Sequence, residues 1–180
     1  MTRVWRLCQA SRQTTAFSGD GARRYGGRWN RKGQAAIYTA ATQSLAALEI
    51  LVHVDTDLVA NDYVVFAVDI PDDIAVERVA LTELPTDWRE QYPPLTCQAL
   101  GSRWLEQGRS AVLAVPSAII PDETNYLLNP EHRDFVGLLV QPPTGCLTNG
   151  SGGRDFGRPR RPSRARGSVI DFSDSHPLSR

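Results

Sequence analysis

The chain has 180 residues, 41% of them hydrophobic, and its 20 basic side chains balance 20 acidic ones. That length suits one domain around a single core. The neutral balance excludes disorder throughout and a globally basic nucleic-acid binder.

In chain order, residues 4–7 read as a short first strand. Residues 9–32 are rich in Gly, Arg and small polar side chains and read as a long ordered loop, a feature that is usually functional in a compact domain. Residues 35–39 read as a second strand. Thr42 is a suitable N-cap for the run Leu45-Ala46-Ala47-Leu48-Glu49-Ile50-Leu51-Val52-His53-Val54, which is apolar almost all round and so reads as a buried helix. Asp55 and Asp57 end it. Residues 63–70 are the clearest strand, stopped by Pro71, and 75–79 form another short one. Three prolines make 84–94 a loop. Residues 98–107 read as a helix with Trp104 inward and Gly108 as its stop. Residues 111–115 read as a buried strand punctuated by Pro116-Ser117, and 118–120 as its resumption. Residues 125–130 are turn-rich, and 135–140 read as a last strand. Helices and strands alternate without βαβ regularity, so α+β is the expected class.

The character changes after Gln141. Residues 142–180 are mostly Pro, Gly, Ser, Arg and Asp, a composition that buries too little apolar surface to offset ordering entropy. A domain over 1–141 and a disordered tail over 142–180 follow. From Cys146 onward seven arginines face three aspartates, so that end is basic and the remainder acidic. No run is long and apolar enough to span a bilayer, and the first seven residues lack a signal peptide's apolar core. A cytoplasmic protein is expected. Cys8, Cys97 and Cys146 give neither a disulfide framework nor zinc spacing, and the three histidines are dispersed, so no metal site is expected.

Glu49 is the most pointed residue. A carboxylate in an apolar helix needs a partner, His53 one turn on for example, or a cleft that uses it. In Gly26-Gly27-Arg28-Trp29-Asn30 the glycines permit close backbone approach and Arg28 offers a planar fork for phosphate or carboxylate; taken alone, the motif fits a solvated surface arginine better, because Gly-Arg pairs are common. Tyr38 suits either a ring-stacking wall or an ordinary core position. Ser117 closes a buried strand with no Gly-x-Ser-x-Gly elbow, so it is a ligand-positioning serine or simply a strand end. Asn125, Asn129 and His132 sit around an Asn-Pro turn, where such side chains commonly cap backbone groups.

These segments in this order resemble the RES domain, the toxin half of a bacterial toxin–antitoxin pair. The likeness runs through Phe17-Ser18-Gly19-Asp20-Gly21-Ala22, Gly27-Arg28-Trp29-Asn30, Ile37-Tyr38-Thr39-Ala40, Leu45-Ala46-Ala47-Leu48-Glu49 with His53, Pro116-Ser117, and Asn125-Tyr126-Leu127-Leu128-Asn129-Pro130-Glu131-His132. It covers roughly residues 3–141, and its specificity lies in the ordered set. The Arg, Glu and Ser of the family's name align with Arg28, Glu49 and Ser117. The resemblance implies a fold like that of ADP-ribosyltransferases and cleavage of the nicotinamide–ribose bond of NAD by water or inorganic phosphate, with NAD as substrate and no cofactor. Arg28, Glu49 and Ser117 would be catalytic, and Arg28, Tyr38, Ser117 and Asn129 would bind substrate. The implied partner is an Xre-like helix-turn-helix antitoxin, in a hetero-oligomeric complex that contains a homo-oligomer of the toxin, with no membrane or direct nucleic-acid contact. The chain departs from the family's usual ending at Pro142-Pro143-Thr144-Gly145-Cys146-Leu147. That departure keeps one alternative in view, an impaired domain acting only as an antitoxin-binding co-repressor; the basic tail raises another, a toxin directed at nucleic acid, against which the neutral net charge argues.

Overall fold

The structure is a computed structural model and describes residues 1–52, 62–90 and 95–147; His53, Asp55, Asp57 and residues 148–180 lie outside that set. Among the described residues eight strands form one sheet: β1 (Thr2–Gln9), β2 (Ile37–Ala40), β3 (Tyr63–Ile70), β4 (Val76–Arg78), β5 (Val112–Pro116), β6 (Thr124–Leu128), β7 (Leu139–Val140) and β8 (Thr144–Leu147). Their order is β4-β5-β6-β2-β1-β3-β7, with β8 also on β3. All pairs are antiparallel except β4 with β5, which is parallel and needs a crossover. The helix α3 (Leu95–Gln107) lies within it. Two shorter helices, α1 (Asp20–Tyr25) and α2 (Gln43–Leu51), complete the α+β arrangement.

The core follows the two-residue period of the strands. In β5, Val112 and Ala114 face a cluster with Val4, Ile37, Val68, Ile70 and Leu128. Leu113 and Val115 face the other way, onto Trp29, Trp88, Cys97, Trp104 and Leu127 under α3. That is why β5 reads as an unbroken apolar run. A third cluster joins Leu45 and Ala46 of α2 to Leu7, Ala40, Tyr63 and Val65.

Several elements differ from the sequence-based expectations. The stretch 9–32 contains a 3-10 turn over Ala10–Thr15 and the helix α1, bracketed by Gly19 and Gly26, both at φ 73°. A positive φ suits glycine and sets each end of α1. The segment read as turn-rich is instead β6, a central strand paired with β2 and β5; the asparagines resemble turn residues, but Tyr126, Leu127 and Leu128 are covered by neighbouring elements. Residues 118–120 turn rather than extend, and the expected last strand is a 3-10 turn over Arg133–Gly137 followed by the two residues of β7. Residues 144–147, placed in the tail by composition, pair with Tyr63–Val65 as β8, because an open edge of β3 supplies hydrogen bonds that composition cannot anticipate. Thr42 does cap α2, its side chain accepting from the Leu45 N–H at 3.0 Å. However, α2 is not buried all round: Leu45 and Ala46 are covered, while Leu51 is about half exposed.

Candidate active site

A cavity of about 370 Å³ opens where β1, β2 and β6 meet α2 and the 26–29 loop, a size typical of small-molecule sites. Trp5, Arg6 and Leu7 come from β1, Tyr38, Thr39 and Ala40 from β2, and Asn125 from β6. Ala46, Glu49 and Ile50 come from α2, so the α-helical spacing of three and four brings Ala46 and Ile50 alongside the carboxylate. Gly26, Gly27, Arg28 and Trp29 close the remaining side. The structure thus brings Arg28, Tyr38 and Glu49 to one chamber.

Glu49 is held by two donors. Ser117 Oγ donates to Glu49 Oε1 at 2.8 Å, and Asn125 Nδ2 donates to the same oxygen at 2.5 Å. The serine is fully buried and its hydroxyl also accepts from the N–H groups of Ile119 and Ile120, at 3.1 and 3.2 Å. A hydroxyl has one proton and two lone pairs, so these three bonds saturate it. Ser117 is therefore a positioning residue for Glu49 and for the turn after β5, and it has no capacity left to bind substrate. The sequence reading made Ser117 a catalytic and ligand-binding residue; in the structure its hydroxyl bonds Glu49 and the turn after β5.

Arg28 is held by backbone. Its NH1 donates to the Trp88 carbonyl and its NH2 to the Glu90 carbonyl, at 2.5 and 2.9 Å. Gly27 N–H donates to the Asn30 carbonyl at 2.9 Å, and the buried Asn30 amide donates to the carbonyls of Ala22, Arg31 and Gln34. Tyr38 ties this loop to the sheet: its hydroxyl donates to Asn30 Oδ1 at 2.8 Å and accepts from the Trp29 N–H at 3.1 Å. Burial pushes the phenol pKa well upward, so the hydroxyl stays protonated and donating. A side chain at Gly27 has no room, since its Cβ would stand 2.5 Å from the Tyr38 oxygen. Gly27 thus serves close packing of the loop on Tyr38, while Gly26 supplies the positive φ at the end of α1.

Asn129 does not join this chamber. Its Oδ1 accepts from the Glu131 N–H at 3.0 Å, it is 4% exposed, and it lines a separate open groove with Arg109 and His132. An asparagine before proline satisfies the turn's backbone first, which is the reading its sequence context allowed and the substrate-binding assignment passed over.

Two lining residues were missed. Arg6 projects from β1, where its NH1 donates to the Tyr38 carbonyl at 2.8 Å. Its Nε is buried and has no hydrogen-bond partner among the described residues. Desolvation lowers its pKa, and no carboxylate among the described residues pairs with it. Asn125, half-buried and bonded to Glu49, was read as part of a turn-rich segment and given no site role. The available signal was the odd polar residue within an apolar strand, visible in Val4-Trp5-Arg6-Leu7 and faintly in Thr124-Asn125-Tyr126-Leu127. Among the described residues no group of three or more His, Cys, Asp or Glu side chains could hold a metal ion.

A sequence model described as the RES domain matches residues 3–149. A protein named Toxin Res from Photorhabdus laumondii is 41% identical over 132 residues, 73% of this chain and 84% of that protein. A protein named Prs ADP-ribosylating toxin from a Sphingobium species is 38% identical over 145 residues, 78% of this chain and 89% of that one. The crystal structure of the MbcT–MbcA toxin–antitoxin complex from M. tuberculosis contains a similar fold, with a TM-score of 0.66 at 22% identity, covering 81% of this chain and 84% of that one.

Proposed function

The chain belongs to the RES domain family, and on that premise we propose that it is the toxin of a toxin–antitoxin pair that depletes cellular NAD by cleaving the nicotinamide–ribose bond. The observation that carries this reading is one chamber lined by a carboxylate fixed by two donors and by two arginines that pair with no carboxylate among the described residues.

The chemistry asks for little more. The glycosidic carbon becomes oxocarbenium-like as the C–N bond breaks, and Glu49 places negative charge beside it. The bonding electrons pass to the pyridine nitrogen, so nicotinamide departs neutral and requires no acid. Water or phosphate then bonds to the carbon from the opposite side, and with water the released proton goes to solvent. Arg6 and Arg28 neutralise the pyrophosphate, Arg6 through its desolvated fork and Arg28 through the N–H directions its two carbonyl bonds leave. The Tyr38 ring forms a flat wall for the base. The occupant that keeps the toxin in check is an Xre-like antitoxin; the relatives' names and the MbcT–MbcA complex support a pairing of this kind.

The test is to express the chain without its antitoxin and to follow NAD content and growth. NAD loss and growth arrest that both vanish in Glu49→Gln are expected. Arrest with undiminished NAD would contradict the proposal and point to nucleic acid. Neither effect, from a chain that still binds the antitoxin when the two are mixed, would point to a co-repressor.

A further inference from the structure

Two buried side-chain atoms among the described residues lack a hydrogen-bond partner, Arg6 Nε and Asn125 Oδ1, and both residues line the same chamber. One is a donor and the other an acceptor. Buried polar atoms are seldom left without a partner. Asn125 is the more telling. It stands in mid-sheet, opposite Ala40 on β2 and Val115 on β5. An ionised carboxylate only accepts, so the bond to Glu49 Oε1 fixes which end of the amide is Nδ2. The Oδ1 end is thereby committed as an acceptor, and it needs a donor that no described residue supplies.

We infer that Asn125 is a specificity-determining residue that accepts a hydrogen bond from the ribose hydroxyl adjacent to the reacting carbon, while its Nδ2 positions Glu49. The inference rests on the NAD reading above. Because Asn125 and Glu49 touch each other, a group bound by Oδ1 lies within one side chain of the carboxylate. On a nicotinamide riboside the donor carried by the carbon next to the reacting one is the 2′-hydroxyl; the carboxamide N–H lies across the ring. A site built to bond a hydroxyl rejects the analogue that lacks it, because its own acceptor is then buried without a partner.

The experiment compares kcat/KM of the purified full chain for NAD and for its analogue lacking that hydroxyl on the nicotinamide ribose, in wild type and Asn125→Ala. The wild type prefers NAD, and in Asn125→Ala the preference shrinks by at least about tenfold. Loss of Glu49 positioning lowers kcat on both substrates and cancels in this ratio, as does the analogue's own reactivity. Asn125→Ser, read in the same ratio, serves if the alanine variant does not fold. An unchanged ratio in a folded variant overturns the inference. So does a collapse of discrimination between NAD and its nicotinic acid counterpart instead, which would assign Asn125 to the carboxamide. No nicotinamide release from NAD by the wild type would overturn the NAD reading itself, a result distinct from both.

Discussion

Arg6 shows how much one side chain can carry. A guanidinium with a desolvated, unpartnered nitrogen is stabilised by an anion, and the chamber that holds it is also the chamber of Glu49. Replacing it should weaken binding more than chemistry. Arg6→Gln is expected to raise KM for NAD roughly ten- to hundredfold with a smaller change in kcat, as measured by steady-state nicotinamide release. An unaltered KM would remove Arg6 from the substrate's path. At this scale Glu49 stood out locally, as a lone carboxylate in an apolar helix, whereas Arg28 was singled out only by the ordered family motifs, because Gly-Arg pairs are common. Arg6 was not, since a basic residue in a short strand ordinarily belongs to a solvated face. Which face it takes depends on β2 and β6, which arrive from distant parts of the chain. Ser117 was legible as a position; only the three bonds to its hydroxyl reveal that it serves Glu49 rather than the ligand.

At the scale of elements, α3 is pressed against the loop that carries Arg28. A Cβ at Gly101 would lie 2.0 Å from the Trp29 carbonyl oxygen, a backbone atom that cannot move without moving its neighbour Arg28. Gly101→Ala should therefore destabilise the fold by about 2 kcal/mol or more and lower activity with it. Thermal unfolding and nicotinamide release check both, and a variant with wild-type melting would show that the helix and loop can part freely. Farther along the sheet Arg3 and Asp69 form a cross-strand pair between β1 and β3, with bonds of 2.6 and 2.9 Å, and Gln141 Nε2 joins at 3.3 Å. The bonds from Arg3 hold the Asp69 carboxyl below its usual range. The folded protein then binds this proton more weakly than the unfolded chain. The stability involved is complete above the ordinary carboxylate range near pH 4 and is lost as pH falls through the lower folded value. In acid titrations Asp69→Asn should lose stability less steeply below about pH 4; an unchanged slope would contradict the coupling. The N-cap at Thr42 and the strand β3 were legible because their signals are local. β6 was not, because Asn and Thr mark turns unless neighbouring strands claim them.

Over the whole molecule, composition and element pattern were enough for the α+β class, and the ordered motifs were enough for the family. The strand order was out of reach. β2 pairs with β6 across a sequence separation of 87 residues, as in the bond from Thr39 Oγ1 to the Tyr126 carbonyl, and no local period encodes such a pairing. The same long-range closure makes the chamber: strands from both halves of the sheet supply its floor, and one helix and one loop supply its walls. This is also why β8 escaped composition, since its partner is the open edge of β3. On the function proposed above, a carboxylate and two arginines gathered in this way have separate capacities, the arginines to hold the ligand and Glu49 to assist the breaking of its bond. Measuring both capacities on one variant tests the account most directly. Purified Glu49→Gln should bind NAD in calorimetric titration within a few-fold of the wild type's KM and release no nicotinamide above background. Nicotinamide release by Glu49→Gln at the wild-type rate would contradict it.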